Sequence, residues 1–230
     1  MWIIADKRLP SEAKHQLGLF GNLLEFESSG IVYEAISDHP DVFMCDTGAG
    51  LIVAPNMPSD YIDLFTMNNI NYKTGNIPLG KRYPDTAMYN AVITGKYLIH
   101  NLKYTDKTIL EECNNKIHLH TNQAYTRCNL MALNENDFIT SDRDIEKILK
   151  AQELNVLYVD PDGILLPGFR NGFFGGCCGL YRGILCITGN IQHMAAGSSI
   201  QRFIENSSLE SFPLCDGELF DGGGIFFINT

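Results

Sequence analysis

One pattern constrains this chain more than any other. A short apolar strand leads into a Ser/Asp helix start, a helix with apolar residues at helical spacing, and a second short strand. The pattern recurs five times. The first copy runs from Trp2–Ala5 through Pro10-Ser11-Glu12 to Leu23–Phe26. Later copies enter their helices at Pro58-Ser59-Asp60, Thr105-Asp106-Lys107, Ser141-Asp142-Arg143 and Ser198-Ser199. Four copies follow another strand that turns back into them: Asp41–Asp46, Asn90–Ile93, Asn129–Leu133 and Cys177–Leu180. The first copy lacks such a strand, but Gly224–Ile228 at the far end could supply it by pairing beside Trp2–Ala5. Closure of that kind leaves no long open edge. An open α/β sheet of similar units is the competing architecture. The best-defined copy spans His39–Met57. There Asp41 opens a hairpin, and Asp46 stands just before the turn Thr47-Gly48-Ala49-Gly50. In this reading His39, ahead of Pro40, is a surface loop residue.

Composition excludes several function classes. The net charge is −10, and Lys and Arg never run longer than two, so a nucleic-acid partner is not expected. An acidic surface suits a cationic ligand. No apolar run approaches the roughly 20 residues of a membrane span, and MWIIADKRLP does not read as a signal peptide. A cytoplasmic setting with reduced thiols is expected for the seven cysteines. There is no C-x-x-C, and Cys177-Cys178 are adjacent, so neither a structural zinc nor another cofactor is expected. Gly175-Gly176 and Gly222-Gly223-Gly224 precede strands rather than helices, so they are not phosphate loops.

Five ββαβ units closed by the last strand resemble the pentein, or guanidine-modifying enzyme, superfamily. HPDVFMCDTGAGLIVAPNMPS is similar to the first acidic hairpin of dimethylargininases. AMYNAVITGKYLIHN, MALNENDFITS, GGCCGLYRGILCI and LCDGELFDGGGIFFI are similar to the later hairpins and the closing segment. The resemblance implies that residues 1–230 form one five-bladed α/β-propeller domain. It also implies chemistry in which a cysteine thiolate attacks a guanidinium carbon, a histidine moves protons and carboxylates grip the guanidinium. Asp41 and Asp46 stand where the family has guanidinium-binding acids. The Glu that commonly precedes the second acid is Cys45, and the Asp of the second hairpin is Asn90. The family's arginines would fall near Asp60 and Thr108. Its histidine would fall at Ala124 or Tyr125, and its cysteine at Phe226 or Phe227.

The expected function is therefore that of a pentein-like protein without the family Cys and His, binding a small cationic or guanidino ligand in an acidic central pocket. Asp41, Asp46, Asn90, Arg127, Asn171 and Asp221 are the candidate binding residues. The loop Phe169-Arg170-Asn171-Gly172-Phe173-Phe174 carries three aromatics and either covers a pocket, meets a partner or folds over the core. One alternative is an amidinohydrolase with a relocated nucleophile, for which Cys45, Cys128, Cys177 and Cys178 are candidates; the other reading of these four is as small buried hydrophobes. Another alternative is a protein-interaction role, since the ribosome anti-association factor is a pentein without a catalytic site. Phe226, Phe227 and Met88 are bulky enough to fill a central channel.

Overall fold

The computed structural model describes residues 1–229. In chain order it contains β1 (Trp2–Asp6), α1 (Ser11–Phe20), β2 (Asn22–Phe26), α2 (Pro40–Phe43), β3 (Met44–Asp46), β4 (Leu51–Val53), α3 (Ser59–Met67) and β5 (Tyr72–Thr74). Then come β6 (Val92–Ile93), β7 (Tyr97–His100), α4 (Lys107–Glu112), β8 (Ile117–His120), α5 (Thr126–Asn129), β9 (Leu130–Ala132), β10 (Asp137–Thr140), α6 (Arg143–Lys150) and β11 (Asn155–Tyr158). The remainder is β12 (Ile164–Leu165), β13 (Cys178–Tyr181), β14 (Ile184–Ile187), α7 (Gly197–Asn206), β15 (Glu210–Pro213), β16 (Leu219–Phe220) and β17 (Phe226–Ile228).

These strands form five three-stranded sheets of one design: β17-β1-β2, β3-β4-β5, β6-β7-β8, β9-β10-β11 and β13-β14-β15. In each, the first strand pairs antiparallel with the middle one, and the third returns parallel through the helix. A parallel return needs such a crossover, whereas the antiparallel step needs only a tight turn. The terminal strand β17 lies against β1 with Trp2 opposite Ile228. A sixth, two-stranded sheet joins β12 to β16. It has no counterpart in the repeat read from sequence, because two-residue strands carry no periodic signal.

Each long helix buries its apolar stripe on its own sheet. Ile145 and Leu149 of α6 pack with Phe138 and Val156, and Ile200 and Ile204 of α7 with Leu185 and Ile187. Ala13 and Leu17 of α1 pack with Ile3 and Ala5. The i, i+4 spacing of these pairs is what a helix facing one sheet requires. The Asp starts cap as expected: Asp142 Oδ1 accepts from the amides of Asp144 and Ile145 at 2.8 and 2.9 Å. The Ser starts do not. Ser11 and Ser59 are the first helical residues after a proline and make no side-chain cap.

The strand expected over Asp41–Asp46 is half helix. Pro40–Phe43 form one helical turn, and only Met44–Asp46 extend. A helical turn also precedes β9 (α5) and a 3₁₀ turn, Gly175–Cys177, precedes β13, taking only the first residue of each expected strand. The residues just ahead of these first strands therefore curl together at one end of the sheets.

Candidate functional site

The first strands of all five sheets face one another. Cys45 of β3, Val92 of β6, Met131 of β9, Leu180 of β13 and Phe226 of β17 line a single cavity of about 280 Å³. Phe226 and Phe227 form part of its wall without filling it, and Met88 lies elsewhere, packed against the core of the first units. Asp46 stands exposed at the edge, its Oδ1 held by the Gly48 amide at 2.8 Å in the hairpin turn. Arg127 lines the same space and gives its Nη1 to Gly175 O at 2.6 Å and its Nη2 to Cys178 O at 2.9 Å. This cavity is thus mostly apolar with one acid and one cation. Of the acids expected in a central pocket, only Asp46 lines this cavity; Asp41 and Asp221 lie buried in neighbouring turns.

Those turns hold the acids. Asp41, Asn90, Cys128, His39 and Asp221 come from four separate stretches, and none is more than 4 % exposed. Asn90 ties them together. Its Nδ2 donates to Asp41 O at 3.1 Å and lies 3.3 Å from Cys128 Sγ, while its Oδ1 accepts from the Cys128 amide. Cys128 Sγ in turn donates to Asp41 Oδ2 at 3.0 Å. Asp221 accepts from the amides of Phe173 and Gly223 at 2.9 and 3.1 Å. Only glycine fits beside it at position 176, where a Cβ would stand 1.9 Å from Asp221 Oδ1. Gly223 combines φ +69° with a Cβ position 2.4 Å from that of His39, so it lets the closing segment pass over the imidazole.

His39 corrects the sequence reading. It is buried, with Nδ1 4.0 Å from Asp221 Oδ1 and Nε2 3.8 Å from Asp6 Oδ2. Its burial depends on the distant glycine run, which local sequence does not reveal. Burial, and then the Arg8 charge, lowers its pKa to about 3, so the ring is neutral. Burial raises Asp41 to about 6, against the pull of Arg127. Burial, reinforced by the Asp41 charge, raises Asp221 to about 7. The same two causes push the Cys128 thiol well above its usual range.

A second cavity, of about 180 Å³, opens at this end. Tyr33, Tyr125, Phe169 and Phe173 form its aromatic walls; His39, Cys128, Asn171 and Asp221 border it, and its accessible surface is almost wholly apolar. The hydroxyls of Tyr33 and Tyr125 are hydrogen-bonded at 3.1 Å, and Phe169 packs on Tyr33 with ring centroids 6.1 Å apart. The aromatic loop therefore lies over a cavity, while its last residue, Phe174, is buried in the core. The other cysteine candidates do not border this cavity. Cys45 Sγ faces Ala91 O at 3.7 Å, Cys177 Sγ faces Phe173 O at 3.4 Å, and Cys178 begins β13; all three are buried. His118 and His120 are structural, bonded to Cys113 O and the Leu102 amide.

Comparison with known proteins places this geometry in context. A family model described as a family of unknown function, DUF6873, matches residues 4–226. No curated protein matches the chain. Among solved structures, dimethylargininase from Pseudomonas aeruginosa, a cysteine-to-serine variant complexed with citrulline, superposes with TM-score 0.54 at 12 % identity over 92 % of this chain and 91 % of its own. Agmatine deiminase from C. jejuni superposes with TM-score 0.55 at 10 % identity, covering 93 % and 87 %. An amidinotransferase of the saxitoxin pathway from Microseira wollei gives TM-score 0.54 at 10 % identity, covering 94 % and 88 %. The mixed α/β fold is that of the pentein superfamily. No helix among the described residues is long and apolar enough to cross a membrane.

Proposed function

We propose that this chain, which belongs to the DUF6873 family and has the pentein fold, binds a small cationic or guanidino compound in the aromatic cavity above Asp221. One observation carries the reading: a cavity of about 180 Å³ whose walls are Tyr33, Tyr125, Phe169 and Phe173 and whose buried acid is Asp221. Aromatic faces attract cations, and a desolvated carboxylate supplies the matching charge and paired acceptors. Asn171 offers a side-chain amide on the same wall. Asp41 lies one hydrogen bond behind, through Cys128. Asp46 and Arg127 sit on the central cavity instead and have no part in this contact. We further propose that the five like sheets are the blades of a five-bladed propeller. Their common strand order and the single cavity that their first strands share support this.

A second reading has one observation in its favour: Cys128 and His39 line the same cavity as Asp221. That is the company a relocated nucleophile would keep. The raised thiol pKa opposes it, because the thiolate and not the thiol attacks. Under this reading Cys128→Ser would abolish ammonia, urea or amine release; under the first, wild type releases none of these and Cys128→Ser still binds.

Thermal melting against arginine, agmatine, methylated arginines, polyamines and neutral citrulline tests the proposal. A ligand at 100 times its Kd adds about 2.7 kcal/mol by mass action, which raises the midpoint of a chain this size by roughly 5–10 °C. Cationic members should produce the rise, and Asp221→Asn should remove it. Equal shifts in wild type and Asp221→Asn would sink the assignment. No shift across the panel would move the search to macromolecular partners.

A further inference from the structure

His39, Asp41 and Cys128 each offer one ligand atom, and these three atoms all lie within 4.8 Å of one another. Among the described residues, only four buried side-chain polar atoms have no hydrogen-bond partner, and three belong to this trio: both ring nitrogens of His39 and Oδ1 of Asp41. Buried polar groups are almost always satisfied, and a buried imidazole usually spends at least one nitrogen on a fixed partner. Here both nitrogens and a carboxylate oxygen are left over at one point of the fold.

The charge balance is equally incomplete. Asp6 is paired with Arg8 at 2.6 Å. Arg127, the other nearby cation, is committed to the carbonyls of Gly175 and Cys178. Asp41 and Asp221 therefore have no ion-pair partner of their own, and the only hydrogen on Asp41 Oδ2 comes from the Cys128 thiol.

We propose that His39, Asp41 and Cys128 form a zinc-class divalent metal site whose open coordination position faces the aromatic cavity. The donor set is one nitrogen, one oxygen and one sulfur. A thiolate ligand disfavours magnesium and calcium and suits zinc or cobalt(II). Ligand bonds of 2.0–2.3 Å put tetrahedral donors roughly 3.3–3.7 Å apart, so side-chain rotations of about 1 Å would draw the three together. The metal takes the place of the thiol proton, which passes to solvent. Three protein ligands leave a fourth position for water or ligand. His39 and Cys128 both border the aromatic cavity, so that position opens there. The site would cross-link α2 of one unit to α5 of another. It goes beyond guanidino binding and does not depend on it, because Asp221 is outside the ligand set and stays available to a cation.

The test uses the full chain, freed of metal with chelator, then given one equivalent of Zn²⁺ or Co²⁺ and desalted. The expected result is one metal per chain by elemental analysis and, with Co²⁺, intense thiolate-to-cobalt absorption in the near ultraviolet. Cys128→Ser should lose that absorption, and His39→Gln should weaken metal retention at least tenfold. Cys113→Ser, at a buried thiol remote from the trio, should match wild type. Failure of the wild-type chain to retain metal overturns the proposal without reference to any variant. Unchanged absorption in Cys128→Ser also overturns it, since the metal would then sit on another thiol. Melting the metal-free chain with the cationic panel reads the guanidino proposal separately.

Discussion

Asp221 accepts two backbone hydrogen bonds, yet burial and the Asp41 charge still lift its pKa to about 7. A carboxyl whose native pKa exceeds its unfolded value binds its proton more tightly when folded. It favours folding at low pH, and that contribution is lost as pH rises through the native value. For Asp221 the window runs from about pH 4 to about 7, and for Asp41 from about 4 to about 6. His39 and His100 run the other way, because burial lowers them to about 3 and about 4. Their stability contribution falls as pH drops below the unfolded imidazole value, so the wild-type profile is a partial cancellation. The comparison that isolates Asp221 is urea unfolding of wild type and Asp221→Asn between pH 5 and 8. The difference should shift toward the variant by on the order of 1–3 kcal/mol as pH rises; a constant difference would rule out burial as the controlling cause. A cationic ligand needs the ionised acid, so its binding should strengthen over the same interval in which the apo protein loses this term. Asp41 and Asn90 are legible as candidates only through the resemblance to the dimethylargininase hairpins, and Asp221 through the glycine turn that it opens. His39 was illegible. Its Pro neighbour suggests an exposed loop, and the residues that cover it lie far away in the chain.

Helix entries divide according to which side chain stands at the boundary. Asp106 and Asp142 each cap a helix, but they do unequal work. Asp142 serves two amides near the surface. Asp106 is wholly buried and accepts from the amides of Thr108, Asn76 and Ile77 at 2.8, 2.9 and 2.9 Å, with the Tyr89 hydroxyl at 3.2 Å. Asp142→Ala should cost about 1 kcal/mol in chemical denaturation. Asp106→Ala should cost about 3 kcal/mol or more, because it strands several buried donors at once. Equal costs would mean that Asp106 acts as a cap alone. Both capping aspartates were visible in the sequence, since Asp followed by a helical apolar stripe is a strong start signal. The serines misled because each follows or approaches a residue that already sets the helix entry, as Pro10 does for Ser11. The strand β3 is shorter than the sequence pattern predicts for a related reason. In runs of four to six apolar residues, a single helical turn and a strand look alike.

The repeat itself was the most legible property of the molecule. Its period, its helix starts and its missing first strand can all be read from residue types, and β17 does pair with β1. The β12–β16 pair was hidden because two short segments with no pattern are brought together only by the sheets around them. The β1–β17 pairing also means that backbone order is largely independent of three-dimensional arrangement here. Trp2 and Ile228 are register partners, about 5 Å apart by the geometry of antiparallel strands. A short linker could fuse the two ends, and a new opening at the exposed Ser29–Gly30 connection would fall between units. Such a circular permutant should keep a cooperative melt within a few degrees of the parent by circular dichroism. A collapse of the transition would mean that the first unit must form before the rest. If the melt survives, the fold does not depend on which unit comes first along the backbone, and a new opening could be placed on whichever side of the aromatic cavity an experiment needs.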